Sequence, residues 1–575
     1  MKYSQLFVKT QKELPAKEDS RNAELLLKAG FIQKEMAGVF SFLPLGLRVL
    51  NKIAHIVREE MNHVGAIEIL MSVLSPKENW ERTGRWNSMG VLYKLETATG
   101  KEVALSPTHE EIVTPLVQKF CRSHKDFPVC VYQVQAKFRN EPRAKSGLLR
   151  GREFLMKDAY SFHTSQEDFE RYYLVQKKAY ETIYNRLGIG DITYYVAASG
   201  GDFSKFSHEF QTRCETGEDT IFCIAGTKDC FNKEIAESQA PLVTYEDKSP
   251  LPMEDVKGVG IIGVEELAKY LKISVEKTTK TILFETENKG EVIAAAVRGN
   301  YDINEIKLKT IIGCKELRLA TAETVKRVTG AEVGYAGILN LPKEIKVFMD
   351  DSMKGRINFE MGANKTDYHT INVNFGRDLP EPKTFYDIKV AQEGDIHPTS
   401  GKPYEVFKAI EVGNIFPLAT KFSSSFNFKF TDENGKEFPI LMGCYGIGIS
   451  RIMGSLVEIF SDDKGMRWPM AVTPFHIYLA AIGRDDAVYD QAEKLYKDFQ
   501  NVGIEVLYDD RRDKKVGPGQ KFADHELMGI PARIVLSERT LEENSVEFVD
   551  RKTGNIQKIK IDDILPFVRT FLNVS

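Results

Sequence analysis

Residues 137–163 read KFRNEPRAKSGLLRGREFLMKDAYSFH, and the rest of the chain is organised around them. A strand carrying Phe138 and Arg139 reaches Glu141, a basic loop follows through Arg143 and Lys145, and a second strand returns with Arg150, Arg152, Glu153 and Phe154. Alternation along an extended strand places Phe138 and Asn140 on one face and Arg139 and Glu141 on the other. An Arg beside a Glu suits a nucleotide: the guanidinium neutralises a phosphate and the carboxylate accepts from a base amino group. Phe154 offers a flat face for stacking. The plainer alternative is a charged hairpin held by cross-strand ion pairs. The length of the loop and the returning Arg-Glu-Phe favour the nucleotide.

The stretch resembles motif 2 of a class II aminoacyl-tRNA synthetase, and three further places carry the resemblance. Upstream, Leu47, Leu50, Ala54, Val57, Met61 and Val64 recur at helical spacing in GLRVLNKIAHIVREEMNHVG. Gly65 provides a C-terminal stop, and a strand is expected from Ala66 to Val73. This layout is similar to motif 1, which implies a homodimer. Ser72 stands where the family has Pro. Next, ALSPTHEE places Thr108 and Glu110 one residue apart on the same side of an extended segment. A carboxylate with a neighbouring hydroxyl suits an ammonium group, although a capped helix start reads equally from Ser106, Thr108, Glu110 and Glu111. Far downstream, LMGCYGIGISRIMGSLVE brings Gly443, Gly446, Gly448 and Arg451 to the start of a helix. Glycines allow close approach of backbone to ligand. The pattern is neither a Rossmann fingerprint nor a P-loop; it is similar to motif 3.

The wording of KFRNE, REFLMKDAYSFHTS and GGDFSKFSHEF narrows the resemblance to prolyl-tRNA synthetases of the bacterial type, with Ala136 where that wording has another residue. The fold implied is α/β (α+β): an antiparallel catalytic sheet with an inserted α/β domain and a C-terminal α/β anticodon-binding domain. The expected segments are 1–224 and 406–470 for the catalytic domain, 225–405 for the insertion and 471–575 for the anticodon-binding domain. The implied substrates are ATP, L-proline and tRNA(Pro), with Mg2+ carried by ATP near Glu411. The implied ATP residues are Arg139, Glu141, Arg150, Phe154, Glu411, Gly448 and Arg451, of which Arg139, Glu141 and Arg451 act in catalysis. Thr108, Glu110, Arg139, Asp158 and His208 are the implied proline residues. Arg143 and Lys145 are expected on the tRNA acceptor stem. Around Glu411 the chain departs from the bacterial pattern: Asn414 replaces His, Pro417 replaces Gln or Lys, and Ala419 replaces Gly. These departures, together with Ser72, motivate an alternative, a paralogue that binds tRNA or amino acid without charging. A sister specificity for threonine or glycine is disfavoured by the insertion.

The insertion resembles an editing domain that hydrolyses mischarged alanyl-tRNA, with Lys280 (or its rival Lys277), Asp350, Gly362 and His369 at the matching positions. A pocket for proline's apolar ring discriminates against a smaller side chain by only about 10- to 200-fold, so a second hydrolytic site has a physical purpose. Lys280, Asp350 and His369, each taken alone, read as solvated surface residues. In the C-terminal segment, DDRRDKKVGPGQKFADHELMGIP offers Lys521, Asp524 and Glu526 for anticodon bases and Arg511, Arg512, Lys514 and Lys515 for phosphates.

Composition agrees with several soluble domains. The chain has 575 residues, 42% hydrophobic and 28% charged, enough for roughly three or four domains. A net charge of −4 confines RNA contact to local basic patches. No apolar run is long enough to span a membrane, and the first 20 residues lack the apolar core of a signal peptide, so a cytoplasmic location is expected. Seven cysteines without a C-x-x-C read as buried or free thiols in a reducing compartment, and Cys223 with Cys230 as a weak metal candidate.

Overall fold

The computed structural model describes residues 1–243, 249–288, 290–513 and 515–572. It divides into two compact units, one of residues 1–194, 200–217 and 409–575, the other of 195–199 and 218–408.

In the first unit, the motif 2 strands Val129–Phe138 and Glu153–His163 form an antiparallel hairpin in register from Val129 opposite Phe162 to Phe138 opposite Glu153. The motif 3 strand Leu441–Gly448 pairs with the other side of Glu153–His163, Gly448 opposite Met156. The later part of Tyr404–Ala419 follows, and Phe206–Arg213 pairs with it. Residues some 300 positions apart in sequence therefore lie on adjacent strands. Tyr160, Phe162, Met442 and Cys444 pack into one core cluster with Val113 and Phe422.

The motif 1 helix runs Pro44–His63, opening on a proline whose missing N–H costs nothing at that position. Gly65 follows its end at φ 76°. Its buried stripe is Leu45, Val49, Leu50, Ile53, Ala54, Ile56, Val57 and Met61. Leu47, expected on that stripe, is 46% exposed, because it lies nearly half a turn away from Leu45. The strand expected over 66–73 is only Ile67–Glu68, paired in parallel with Val131 and Tyr132. Beyond it the segment is tied by single bonds, Ile69 N to Tyr132 O at 2.8 Å and Met71 N to Gln133 Oε1 at 3.1 Å.

Tyr404–Ala419 carries the departures from the family pattern. Its register with the motif 3 strand shifts between Pro417 and Ala419, an irregularity that tolerates a residue without an N–H. Ala419 sits at φ +50°. That left-handed backbone is costly for alanine and free for glycine, the family's residue there. Ala419→Gly is expected to stabilise the protein by about 0.5–1 kcal/mol, read as a higher urea midpoint at unchanged slope; a lower midpoint would refute the assigned strain.

The C-terminal sheet has the order Val506–Asp509, Ile477–Ile482, Ala532–Ser537, Ser545–Asp550, Ile556–Lys560. The first three strands are parallel, as the strand–helix alternation predicts. The antiparallel hairpin of the last two is not predicted, since its final strand is charged and mostly exposed.

In the second unit, Thr279–Thr286 and Val292–Arg298 are central to a four-stranded sheet with Leu317–Leu319 and Lys346–Met349 at its edges. A three-stranded sheet joins Glu254–Lys257, Tyr368–Val373 and Phe359–Gly362. Cys223 and Cys230 are directly opposed on a hairpin and form a disulfide. This corrects the expectation of free thiols for that pair, whose pairing only the strand register reveals. The other five cysteines are free.

Candidate active site

A cavity of about 170 Å3 opens where the motif 2 and motif 3 strands adjoin. Thr108, Arg139, Glu141, Arg150, Phe154, Asp158, Glu411, Gly448 and Arg451 all line it. The first strand ends at Phe138, so alternation does not place Glu141; a tight turn does, with Glu141 N bonded to Arg139 O at 2.7 Å. The loop that follows holds a short 3-10 turn, Gly147–Leu149. The buried Asn22 anchors it, donating to Ser146 O at 3.1 Å and accepting from Leu148 N at 3.0 Å. A Cβ on Gly147 would meet Asn22 Oδ1 at 2.3 Å. Nothing in the sequence around Asn22 signals this role.

Arg139 lies with its guanidinium carbon 5.2 Å from the Phe154 ring centre. Burial, and after it the charge of the neighbouring Arg451, lowers its pKa. Arg451 stands in the first turn of the helix Ile449–Phe460, donating to Leu149 O at 2.9 Å and to Glu411 Oε2 at 2.9 Å. Two cations and a helix N-terminus converging on one cavity create a site for a polyanion. Glu141 accepts both Nε and Nη2 of Arg150, at 3.1 and 2.9 Å. The cross-strand ion pair of the plainer reading is therefore present, and it occupies the Arg150 assigned to a phosphate. Arg143 and Lys145 are exposed on the loop.

Thr108 and Glu110 do not share an extended segment. Glu110 opens the helix Glu110–Phe120, whose N-cap His109 makes no side-chain cap. Thr108 instead donates to Glu110 Oε2 at 2.6 Å. Glu110 is fully buried just behind the cavity wall. Asp158 is held by Lys137 at 2.7 Å, Tyr160 at 2.9 Å and Gln133 at 3.1 Å. Burial opposes its charge, yet Lys137 and His109 outweigh burial and keep it below the usual carboxylate range. His208 lies outside this cavity, lining a separate groove with Phe206 and Leu418 and meeting Tyr173 Oη through Nδ1 at 3.0 Å.

In the second unit, Lys280, Gly362 and His369 line a groove of about 540 Å3. Lys280 is ion-paired with Asp302. Glu360 and Thr279, missed in the sequence, line it too. His369 is not a solvated residue: Nδ1 faces Glu360 Oε1 at 3.0 Å and Nε2 faces the Ile261 carbonyl at 2.9 Å. Both partners are acceptors, which suits the imidazolium. Burial works to lower its pKa, but Glu360 and the carbonyl outweigh burial and the net shift is upward. Asp350 is fully buried and caps backbone N–H groups, away from the groove.

The C-terminal candidates divide by exposure. Lys521 and Asp524 are each 2% exposed. The Lys521 ammonium donates to the carbonyls of Ala481, Asp509 and Arg511, and Asp524 accepts from Thr10, Gln520 and Arg511. These side chains brace the loop and do not face bases. Glu526 pairs with Lys464, and Arg511 is clamped by Asp509 and Asp524 over the Tyr3 ring. Arg512 and Lys515 remain exposed; Lys514 lies outside the described residues.

Residues 93–460 match the tRNA synthetase class II core domain (G, H, P, S and T), and residues 476–571 match an anticodon binding domain. The chain is 39% identical over 577 residues to a proline–tRNA ligase of Geobacillus sp. (strain WCH70), covering 100% of both chains. It is 41% identical over 571 residues to a proline–tRNA ligase of Aquifex aeolicus (strain VF5), covering 99% of both. Among solved structures, the prolyl-tRNA synthetase of Cryptosporidium parvum complexed with L-proline and AMP superposes with a TM-score of 0.56 at 13% identity, covering 96% of this chain and 75% of that one. At that identity the likeness is one of fold.

Proposed function

This chain belongs to the proline–tRNA ligases of the class II tRNA synthetases, and we propose that Arg139 and Arg451 supply the positive charge on which its first chemical step depends. The enzyme joins L-proline to ATP, forming prolyl-adenylate and pyrophosphate, and transfers the prolyl group to the 3′ end of tRNA. The proline carboxylate attacks the α-phosphorus in line, and it needs no general base because it is already ionised at neutral pH. The protein's contribution is position and charge. In this reading Arg139 holds the α-phosphate and Arg451 the γ-phosphate, while Phe154 stacks on adenine. Glu141, already tethered to Arg150, accepts from the adenine amino group. Thr108, Glu110 and Asp158 receive the proline amine. Glu411, linked through Asn414 to Glu209, would meet a Mg2+ that arrives with the nucleotide phosphates; the ion would add charge neutralisation at the phosphates. The observation that carries the assignment is the convergence of Arg139 and Arg451 on one cavity with Thr108.

The same reading assigns Arg143 and Lys145 to the tRNA acceptor stem, Arg512 and Lys515 to anticodon-stem phosphates, and a cytoplasmic location with the tRNA pool. A homodimer is supported by the exposed Ile67, Leu70 and Leu74, which follow the motif 1 helix. The groove with Lys280, Gly362 and His369 is assigned to hydrolysis of mischarged alanyl-tRNA(Pro). His369 is held between Glu360 and the Ile261 carbonyl, and in this reading water activation falls to other groups. ATP–pyrophosphate exchange with each amino acid tests the core reading. Exchange is expected with proline and, more weakly, with alanine; a folded protein giving exchange with neither would be a binding paralogue.

A further inference from the structure

Behind the amine subsite lies a buried cluster that no motif announces. Arg85, 3% exposed, opens the short helix Arg85–Ser88. Its Nη1 bridges Glu110 Oε2 at 3.3 Å and Glu111 Oε1 at 3.0 Å. The rings of Trp80, Phe203 and Phe422 surround its guanidinium carbon at 5.6, 4.8 and 5.2 Å. Thr83 donates to Glu111 at 2.8 Å. Among the described residues no N–H or O–H group reaches the buried Glu110 Oε1, and the Cys444 thiol hydrogen-bonds the Glu110 carboxyl. Two carboxylates thus share one guanidinium in a dry, aromatic-walled site, and such an imbalance of buried charge is costly.

We propose that Arg85 is a positioning residue for amino-acid activation: it holds the Glu110–Glu111 pair so that the substrate's ammonium supplies the second positive charge the cluster lacks. The proposal rests on the reading of Glu110 as the amine's partner. Burial pushes the Glu111 carboxyl up, Arg85 opposes this, and the Glu110 carboxylate adds to the rise. When Glu111 is protonated the cluster is neutral and a cation gains little; when it is ionised the cluster carries one net negative charge and draws the ammonium. Proline affinity therefore falls as pH falls through neutrality. The other groups facing the cluster are Lys421, Cys444 and Tyr160, with Asp158, Lys137 and His109 beyond. Asp158 and Lys137 neutralise each other, and burial with the Lys137 charge lowers His109 to about 4, so it is neutral across this range. Cys444 and Tyr160 are pushed well up by burial and stay neutral. Lys421, lowered by burial and by Arg85, turns its ammonium to the Asp202 carbonyl.

The test is the Michaelis constant for proline in ATP–pyrophosphate exchange, measured from about pH 6 to about pH 9. In the wild type it is expected to rise toward acid. In Arg85→Gln that acid rise should be lost, since Glu110 alone leaves the cluster negative even when Glu111 is protonated. The constant should be about 10-fold larger across the range, because Glu110 is no longer held in place, with the constant for ATP unchanged. Arg85→Lys should restore part of the loss. A purely structural Arg85 would lower stability and turnover without moving the profile, and that outcome overturns the proposal. If Arg85→Gln does not fold, Glu111→Gln carries the test: it should flatten the profile around neutrality, and a retained wild-type profile overturns the proposal. Glu110→Gln separates the underlying reading. No effect of Glu110→Gln on the proline constant refutes the amine assignment itself, whereas a large effect there with none in Arg85→Gln refutes only the role of Arg85.

Discussion

Arg451→Ala is expected to reduce proline-dependent ATP–pyrophosphate exchange by about 10³-fold, roughly 4 kcal/mol of transition-state stabilisation. The pyrophosphate leaves with its negative charge, and in the proposed assignment Arg451 meets that charge from the first turn of a helix whose N-terminus is itself positive. Its guanidinium is fixed before any ligand arrives, by Leu149 O at 2.9 Å and Glu411 Oε2 at 2.9 Å. That preorganisation makes the group more than a mobile surface cation. Arg451→Lys retains the charge but cannot satisfy two partners in a planar fork, so about a 10²-fold loss is expected. The Thr108 side of the cavity is unaltered, so calorimetric binding of proline alone should stay within about threefold of wild type. Circular dichroism and thermal melting establish that the variant is folded. Exchange within tenfold of wild type in a folded Arg451→Ala protein would remove Arg451 from the phosphate site.

Much of this site is legible in the sequence because its motifs combine rare residue types with fixed order: Arg139 and Glu141, then Phe154, then Arg451 after a glycine-rich strand. The register that joins them, Gly448 opposite Met156, is a property of the sheet and has no local signal. The illegible part consists of buried charges. Lysine, arginine, aspartate and glutamate are almost always exposed unless paired, so each of Arg85, Lys521, Asp524 and Glu360 reads as solvated until its partner is placed beside it. Those partners come from distant segments, Glu110 and Glu111 for Arg85 and Thr10 for Asp524. Asn22 fails for the same reason, since its contacts lie about 125 residues away in the motif 2 loop. Leu47 misleads in the opposite sense: it is apolar and near helical spacing, yet exposed.

Asp350, which the resemblance puts among the editing residues, is built as a brace. Its carboxylate accepts from Ser352 N at 2.9 Å through Oδ1, and from Ile388 N at 2.8 Å and Lys389 N at 2.9 Å through Oδ2. The Lys389 ammonium is 3.8 Å away and also pairs with Asp351 and Asp387. The side chain thus joins the end of the strand Lys346–Met349 to the segment 386–389, away from the groove that holds Lys280 and His369. Asp350→Ala strands three buried N–H donors and removes one of three anions from a buried ammonium, an expected cost of about 3–5 kcal/mol. Asp350→Asn keeps one accepting oxygen but turns an NH2 group toward N–H donors, for about 2 kcal/mol. Hydrogen exchange of the full-length protein reads this locally: protection of Val292–Arg298 and Lys346–Met349 should fall in both variants, more in the alanine one, while the C-terminal sheet keeps its protection. The hydrolysis of mischarged tRNA proposed for this unit should fall in step with that protection. Lys280→Ala provides the contrast, since it opens only a surface ion pair and should leave protection intact whatever it does to hydrolysis. An Asp350→Ala protein with full protection and no hydrolysis would place Asp350 in the chemistry and overturn its role as a brace.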